Sequence, residues 1–520
     1  MPQSGVPLAA PVDLTDILRL GLETKADEPA LVSAETRWTW RALDQGAARY
    51  AANLLALGLK PGDRVASLMP NRAALLVHYL ACLKAGLVAT PLNYRYMAPE
   101  IDHALEVSGA SVLLAHAERD SDLAVSALAG QLPLGRITYD GEAGGGPTFH
   151  ELLERAPAHE RLPSPAPDDP AFIFFTSGST GKPKGVTHTQ ETFGWMVASL
   201  IASLEINGRD VVLPGSSISH IGGSLFSLTG LAAGARIDIA RTFDGDEILP
   251  LLRETQPSVL SMLPAALFTL VRDHNARHED FASLRVCISG GDKVSAELER
   301  EFVALADLEI DEGYGMTEIG IATVNPPSGL NKVGSCGLAG PGYELSLRDD
   351  SGAEVPTGEE GRLWVRFKGN TIGYWNRPDA TAETIVEGWL DTGDIMKFDA
   401  DGYLWFCGRK KQIIIHDGSN ICPQEVEEAL LDHDAVASAG VVGFHDLVHG
   451  ENVRAYITLK QGAATPAAQE LIRFARARVG YKAPEEIVVL EEMPLNATGK
   501  VDRVTLKRWA GEAHGGEEAG

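Results

Sequence analysis

The apolar run from Ala171 to Phe175 breaks without transition into Thr176, Ser177, Gly178, Ser179, Thr180 and Gly181, followed by Lys182, Pro183 and Lys184. A short, continuously apolar run of this kind reads as a strand buried on both faces, as in parallel sheets. The segment after it gathers hydroxyls, backbone N–H groups freed by glycine, and ammonium groups. Those are the donors that a polyphosphate requires, so the strand and its loop together predict a phosphate-binding turn.

The loop does not follow the Walker A pattern, because Gly181 and Lys182 are followed by Pro183 where a serine or threonine is needed. The His-Arg-Asp and Asp-Phe-Gly signatures of kinases are missing, and so is the Gly-x-Ser-x-Gly elbow of serine hydrolases. Transfer of a γ-phosphate is therefore disfavoured, and another use of ATP is implied.

The pattern around this segment is α/β. Leu43, Ala47, Tyr50, Leu54 and Leu57 recur at helical spacing. Lys60, Pro61, Gly62 and Asp63 stop that helix, and a strand is expected over Arg64 to Leu68. The alternation returns from Ala73 to Pro91 and again around Ile101 to Ala115, which is the signature of parallel sheets covered by helices. Ala156 to Asp169 reads as a surface linker. After about residue 340, short strands separated by turns suggest a β-rich unit. From about residue 410 a small α+β domain is expected, with Pro423 in the first turn of a helix and a second helix near Ala467 to Val479. The alternation of Val453, Ala455 and Ile457 with Arg454 and Tyr456 predicts a half-buried strand. Gly511 to Gly520 reads as a disordered tail.

At 520 residues the chain is long enough for two to four domains. Its net charge of −26 argues against nucleic acid or an anionic membrane as partner. Five cysteines without C-x-x-C spacing read as reduced thiols rather than a zinc site. With no signal-like N-terminus and no membrane-length apolar run, the expected location is cytoplasmic, with no integral membrane association.

Four further segments carry unusual chemistry. Asp311 to Glu318 places Tyr314, Thr317 and Glu318 on a glycine-loosened chain, and Trp389 to Asp394 ends a strand-like run in acids. Gly408 to Gln412 is a basic turn, and Leu495 to Lys500 is a glycine turn presenting a lysine. Each has an ordinary explanation alone: a core tyrosine, a capping aspartate, a solvated arginine, a turn lysine. In this order, from about Trp38 to Lys507, they resemble the adenylate-forming enzymes, which include acyl-CoA synthetases, firefly-luciferase-like enzymes and peptide-synthetase adenylation domains.

The resemblance implies a large N-terminal adenylation domain (1–408) of two doubly wound α/β subdomains plus a β-barrel-like subdomain. It also implies a small mobile α+β C-terminal domain (409–520) that swings about a hinge at Lys411. ATP, Mg²⁺ and CoA are the implied cofactor and co-substrates. Thr176, Ser177, Gly178, Ser179, Thr180, Gly181 and Lys184 would hold the β- and γ-phosphates. Tyr314 would stack on adenine, with Gly291 and Asp292 in the same pocket, and Asp394, reinforced by Arg409, would bind the ribose. Thr317 would contact the α-phosphate, Glu318 would ligate Mg²⁺, and Lys500 would bridge the substrate carboxylate and the α-phosphate. Gly418 lies in the loop that would cover the pantetheine tunnel, and Arg95 is a candidate for the 3′-phosphate of CoA.

For the acid, His220 is the candidate beside the carboxylate, with Ser219 standing where the family commonly has an aromatic. No aspartate lies between Val211 and Arg236, which argues against an α-amino acid. Gly222, Gly223 and Gly320 are expected to leave room for an apolar chain or ring, so a medium- or long-chain fatty acid or an aryl acid is implied. CoA is the favoured acceptor. A carrier-protein phosphopantetheine or an amine remains open, as does a non-catalytic nucleotide-binding regulator. The oligomeric state is not readable.

Overall fold

The computed structural model describes residues 3–141, 146–157, 161–176, 183–291, 294–409, 412, 414–416, 419–446, 450–496 and 499–515. Four sheets organise it. The first has seven strands, in the order Gly373–Tyr374, Gly185–Thr189, Pro170–Phe175, Val88–Pro91, Arg64–Leu68, Val112–His116 and Arg136–Tyr139. The last five of these run parallel. The strand anticipated from the apolar run lies inside this sheet, with Ala171, Phe172, Ile173 and Phe174 at most 1% exposed.

The helices form where the periodicity places them, for local reasons. Trp40–Ala56 starts on Thr39, whose hydroxyl accepts the Ala42 N–H, and it turns Leu43, Ala47, Tyr50 and Leu54 into the core. Ala73–Ala85 ends at Gly86 with φ 66°, a left-handed cap that glycine adopts without a Cβ penalty.

The second sheet has nine strands: Leu338–Ala339, Gly320–Val324, Ile310–Met316, Val286–Gly290, Val259–Met262, Val211–Gly215, Arg236–Ile239, Pro29–Ser33 and Arg37–Thr39. From Ile310–Met316 to Pro29–Ser33 every neighbouring pair is parallel. The carboxyl ends of parallel strands share one edge, and loops leaving that edge build the ligand crevice. Thr176 leaves Pro170–Phe175 in the first sheet, and Arg95 follows Val88–Pro91. In the second sheet His220 follows Val211–Gly215, Gly291 follows Val286–Gly290, and Thr317 follows Ile310–Met316. The two α/β units thus point their loops at common ground.

The third sheet is antiparallel and contains Glu344–Arg348, Gly361–Arg366, Trp389–Phe398, Ile385–Val386 and Leu404–Arg409, with Gln3–Ser4 added at one edge. The fourth belongs to the smaller C-terminal unit. Gly450–Leu459 pairs with Val436–Asp446 on one side, and with Ile414–His416 and Glu486–Val489 on the other. Pro423 occupies the first turn of Pro423–Leu431, and Ala468–Val479 is the second expected helix.

Two expectations for this unit fail together. The chain from Arg503 to Gly515 is helical, so the tail expected to be disordered from Gly511 is helical through Gly515, and 516–520 lie outside the described residues. That helix covers the second face of Gly450–Leu459, which is therefore not half-buried: Arg454 and Tyr456 are 5% and 3% exposed. The Tyr456 and Trp509 rings meet edge to face, and Leu506 and Ala510 join Val442, Phe444 and Met493 in a separate small core. A strand's polar-alternate residues stay in water only while nothing packs on that face, and the helix removes the condition.

Candidate active site

A cavity of about 1870 Å³ lies where the loops converge. Its walls include Arg95, Thr176, Lys184, His220, Gly291, Tyr314, Thr317, Glu318, Asp394, Arg409 and Lys500. Every candidate that falls on described residues is thus brought to one space. Ser177, Gly178, Ser179, Thr180, Gly181, Asp292, Lys411 and Gly418 lie outside the described residues.

One wall is a closed polar cluster. Asp394 and Arg409 stand opposite each other on paired antiparallel strands, so their side chains meet across the ladder. Arg409 Nε donates to Asp394 Oδ1 at 2.8 Å, and the Tyr314 hydroxyl donates to Oδ2 at 2.6 Å. Asp394 is 1% exposed. Burial pushes its carboxyl up, while Arg409 and the Tyr314 hydroxyl pull the other way. Burial and the adjacent carboxylate hold the Tyr314 phenol well above its ordinary value, so it remains a donor. Each Asp394 oxygen keeps a second lone pair for a further donor.

The same cavity holds the ends of the phosphate loop and the Thr317–Glu318 turn. The Thr176 N–H donates to the Lys184 carbonyl at 3.1 Å, pinching the loop at its neck. The turn between Ile310–Met316 and Gly320–Val324 carries Thr317 and Glu318. Glu318 is buried, which raises its carboxyl, and it accepts the Tyr374 hydroxyl on Oε1 at 2.8 Å. Lys184 Nζ sits 4.0 Å from the centroid of the same Tyr374 ring. Tyr374 is a shared neighbour of Glu318 and Lys184 that sequence reasoning missed. It lies on a two-residue edge strand with no periodicity to flag it.

The C-terminal unit supplies Lys500 from a tight turn. The Asn496 N–H donates to the Lys500 carbonyl at 2.7 Å, Asn496 Oδ1 accepts the Lys500 N–H at 3.1 Å, and Leu495 bridges Val501. Lys500 Nζ donates to the Gly291 carbonyl. Gly291 has φ 82°, a left-handed turn that glycine adopts without a Cβ penalty. Arg95 is exposed, its guanidinium 3.8 Å from where a Cβ of Gly499 would stand.

His220 is the N-cap residue of Ile221–Ala232. Burial, then Lys500 and Arg95, hold its imidazole at about 4, so it is neutral at ordinary pH. The glycines near it differ. A Cβ on Gly222 would meet nothing within 4 Å, but on Gly223 it would lie 2.3 Å from the Ser217 carbonyl oxygen, and on Gly320 3.0 Å from Met196 Sδ. Of the three expected to leave room, only Gly222 does. Gly223 is glycine because backbone fills its Cβ position, and Gly320 because it sits at φ 72° against Met196.

Comparison with known proteins accounts for this gathering of motifs. A family model described as AMP-binding enzyme matches residues 19–375, and one described as AMP-binding enzyme C-terminal domain matches 425–500. The chain belongs to the AMP-binding enzyme family. It is an AMP-forming acid–thiol ligase by membership. A feruloyl-CoA synthase of an Amycolatopsis species is 32% identical, over 91% of this chain and 94% of that protein. A fatty acid–[acyl-carrier-protein] ligase of Streptomyces coeruleorubidus is 31% identical, over 92% and 93%. Among solved structures, an anthranilate CoA ligase in complex with anthranoyl-AMP superposes with a TM-score of 0.90 at 26% identity, covering 98% of this chain and 99% of that one. In this adenylate-forming ligase, Asp394 and Arg409 fall between the two matched segments, and Lys500 is the last residue of the second. No described helix is long and apolar enough to cross a membrane.

Proposed function

We propose that the enzyme joins a fatty or aryl carboxylic acid to CoA in two steps. In the first, a carboxylate oxygen attacks the α-phosphorus of ATP, and the bond to pyrophosphate breaks, giving an acyl-adenylate. In the second, the CoA thiol gives up its proton to solvent as its sulfur attacks the acyl carbon, the C–O bond breaks, and AMP leaves with the electron pair. The observation that carries this reading is Lys500, from the C-terminal unit, standing in one cavity with Asp394, Tyr314, Glu318 and Thr176.

The barrier to the first step is largely repulsion between two anions. Lys500 would place its ammonium between the carboxylate and the α-phosphoryl oxygens, a fixed positive charge aimed where negative charge develops. Tyr314 would stack on adenine beside Gly291 and Asp292, and Asp394 would offer its remaining lone pairs to the ribose hydroxyls. Thr317 would donate to the α-phosphate, and Thr176 to Lys184 would grip the departing pyrophosphate. Glu318 fits a Mg²⁺ ion: it is a hard oxygen donor whose burial leaves its charge under-compensated. Bound there with ATP, the ion would neutralise phosphate charge. Neutral His220 would border the acid without adding a second cation.

For the second step, residues 409–520 would turn about Lys411, withdrawing Lys500 and bringing the Gly418 loop over the thiol's path. Arg95 would meet the 3′-phosphate of CoA. The resemblance to a carrier-protein ligase gives the second reading its support: the same adenylate delivered to a protein-bound phosphopantetheine.

ATP–pyrophosphate exchange with a panel of fatty and aryl acids tests the first step, and product analysis with CoA, a holo carrier protein and hydroxylamine tests the second. The expected result is acid-dependent exchange and a CoA thioester. ATP binding without exchange for any acid would instead favour a non-catalytic nucleotide-binding protein.

A further inference from the structure

Tyr374 touches both halves of the phosphate side, and nothing in the motif chemistry assigns it a task. Its hydroxyl donates to Glu318 Oε1 at 2.8 Å, and its ring faces Lys184 Nζ at 4.0 Å. Glu318 belongs to the second α/β unit, and Lys184 closes the loop of the first. Tyr374 itself sits on Gly373–Tyr374, the edge strand hydrogen-bonded to Gly185–Thr189 directly after Lys184. The neighbouring backbone is tied to the same turn: the Thr371 N–H donates to the Glu318 carbonyl at 2.7 Å, and Thr371 Oγ1 to the Thr187 carbonyl at 2.7 Å. From the same strand, buried His188 places Nε2 2.8 Å from the Thr317 carbonyl. A carbonyl only accepts, so Nε2 carries the proton, and burial holds the ring neutral at about 4.

We propose that Tyr374 is a positioning residue that sets the phosphate loop and the Thr317–Glu318 turn in register. One face of the residue orders the terminal lysine of the loop by a cation–π contact, and its hydroxyl fixes the carboxylate. The two functions are separable because one needs only the ring and the other only the oxygen. A tether of this kind lets a rigid sheet edge, rather than the loop, define the spacing between the grip on pyrophosphate and the carboxylate that faces it. The assignment rests on the adenylation reading above.

The test uses the full-length enzyme and two variants, Tyr374→Phe and Tyr374→Leu. It combines ATP binding measured in EDTA with ATP–pyrophosphate exchange under titrated Mg²⁺, and melting temperatures check that each variant folds. Tyr374→Phe keeps the ring, so metal-free ATP affinity should stay within about twofold, while half-maximal exchange should need about tenfold more Mg²⁺ and kcat should fall about tenfold. Tyr374→Leu should also lose about tenfold in metal-free ATP affinity, which phenylalanine restores. The proposal is overturned if folded Tyr374→Phe matches wild type in Mg²⁺ dependence and kcat, or if both variants weaken metal-free binding equally. If the wild-type enzyme shows no exchange with any acid, the adenylation reading fails, and the binding difference between the variants still decides whether the ring orders Lys184.

Discussion

Asp394 and His220 line the same cavity, yet their surroundings are built on opposite plans. Around Asp394, polar groups satisfy one another before any ligand arrives: Tyr314 and Arg409 each hold one carboxylate oxygen, and both Asp394 and Tyr314 are buried. Around His220 the wall is mostly shape, with Lys500 and Arg95 as the charges that reach it. Gly222 opens onto space, Leu225 and Phe226 are apolar, and the imidazole is neutral. A preorganised polar cluster recognises one chemical group and tolerates little change, whereas an apolar wall recognises volume. The contrast explains why the nucleotide chemistry is specific while the acid is defined only as a class.

The most severe break should come from Lys500→Ala. It removes the ammonium with which the C-terminal unit reaches the Gly291 carbonyl, and adenylate formation should fall a hundredfold or more, or ~3 kcal/mol. Thioester formation from supplied acyl-adenylate should persist, and equal loss of both half-reactions would remove the lysine from its proposed role. Asp394→Asn keeps the shape of the polar side but deletes its charge. The KM for ATP should rise roughly thirtyfold, ~2 kcal/mol, while the KM for the acid stays within about twofold. Parallel increases in both constants would show that the two sides are not independent.

Gly222→Leu probes the other side. Its Cβ enters open space, so the enzyme should fold and keep its KM for ATP, while bulky acids lose about tenfold in kcat/KM relative to short ones. An unchanged acid profile would place the acid elsewhere in the cavity.

The smallest effect on turnover concerns the strand that carries Tyr314. Burial, with Glu309 and Glu299 nearby, raises Asp311 to about 7. A carboxyl whose folded value lies above its unfolded one binds more protons in the native state, so stability falls as pH rises from about 4 to about 7. Asp311→Asn should remove that slope. Its stability relative to wild type should therefore be ~2 kcal/mol better at pH 8 than at pH 5, measured by denaturant titration at each pH. An identical slope in both proteins would exclude Asp311 as its source.

Much of this molecule was legible in the chain because the information was local. The buried run before Thr176, the helical spacing of Leu43 to Leu57 and the clustered Tyr314, Thr317 and Glu318 each announce themselves within a short segment. Tyr374 did not, because its value comes from partners at positions 184 and 318 rather than from its own neighbours. Gly223 and Gly320 misled for the same reason: a glycine looks like space in one dimension, and only packing says what occupies the position of the missing Cβ. The C-terminal helix was overlooked because the composition of the tail beyond Gly511 is polar, while its burial depends on Met493, Tyr456 and Phe444 from elsewhere.

The sequence by itself determined the parallel-sheet frame and the order of chemically distinct side chains along it, since strand burial, turn chemistry and side-chain functional groups are properties of short segments. Only the tertiary structure decided that Lys500 meets Gly291 across 209 positions, that Tyr374 bridges the two α/β units, and that Gly222 alone of three glycines faces open space. Those outcomes depend on how separately formed sheets dock, and close packing converts that docking into distances that no local pattern encodes.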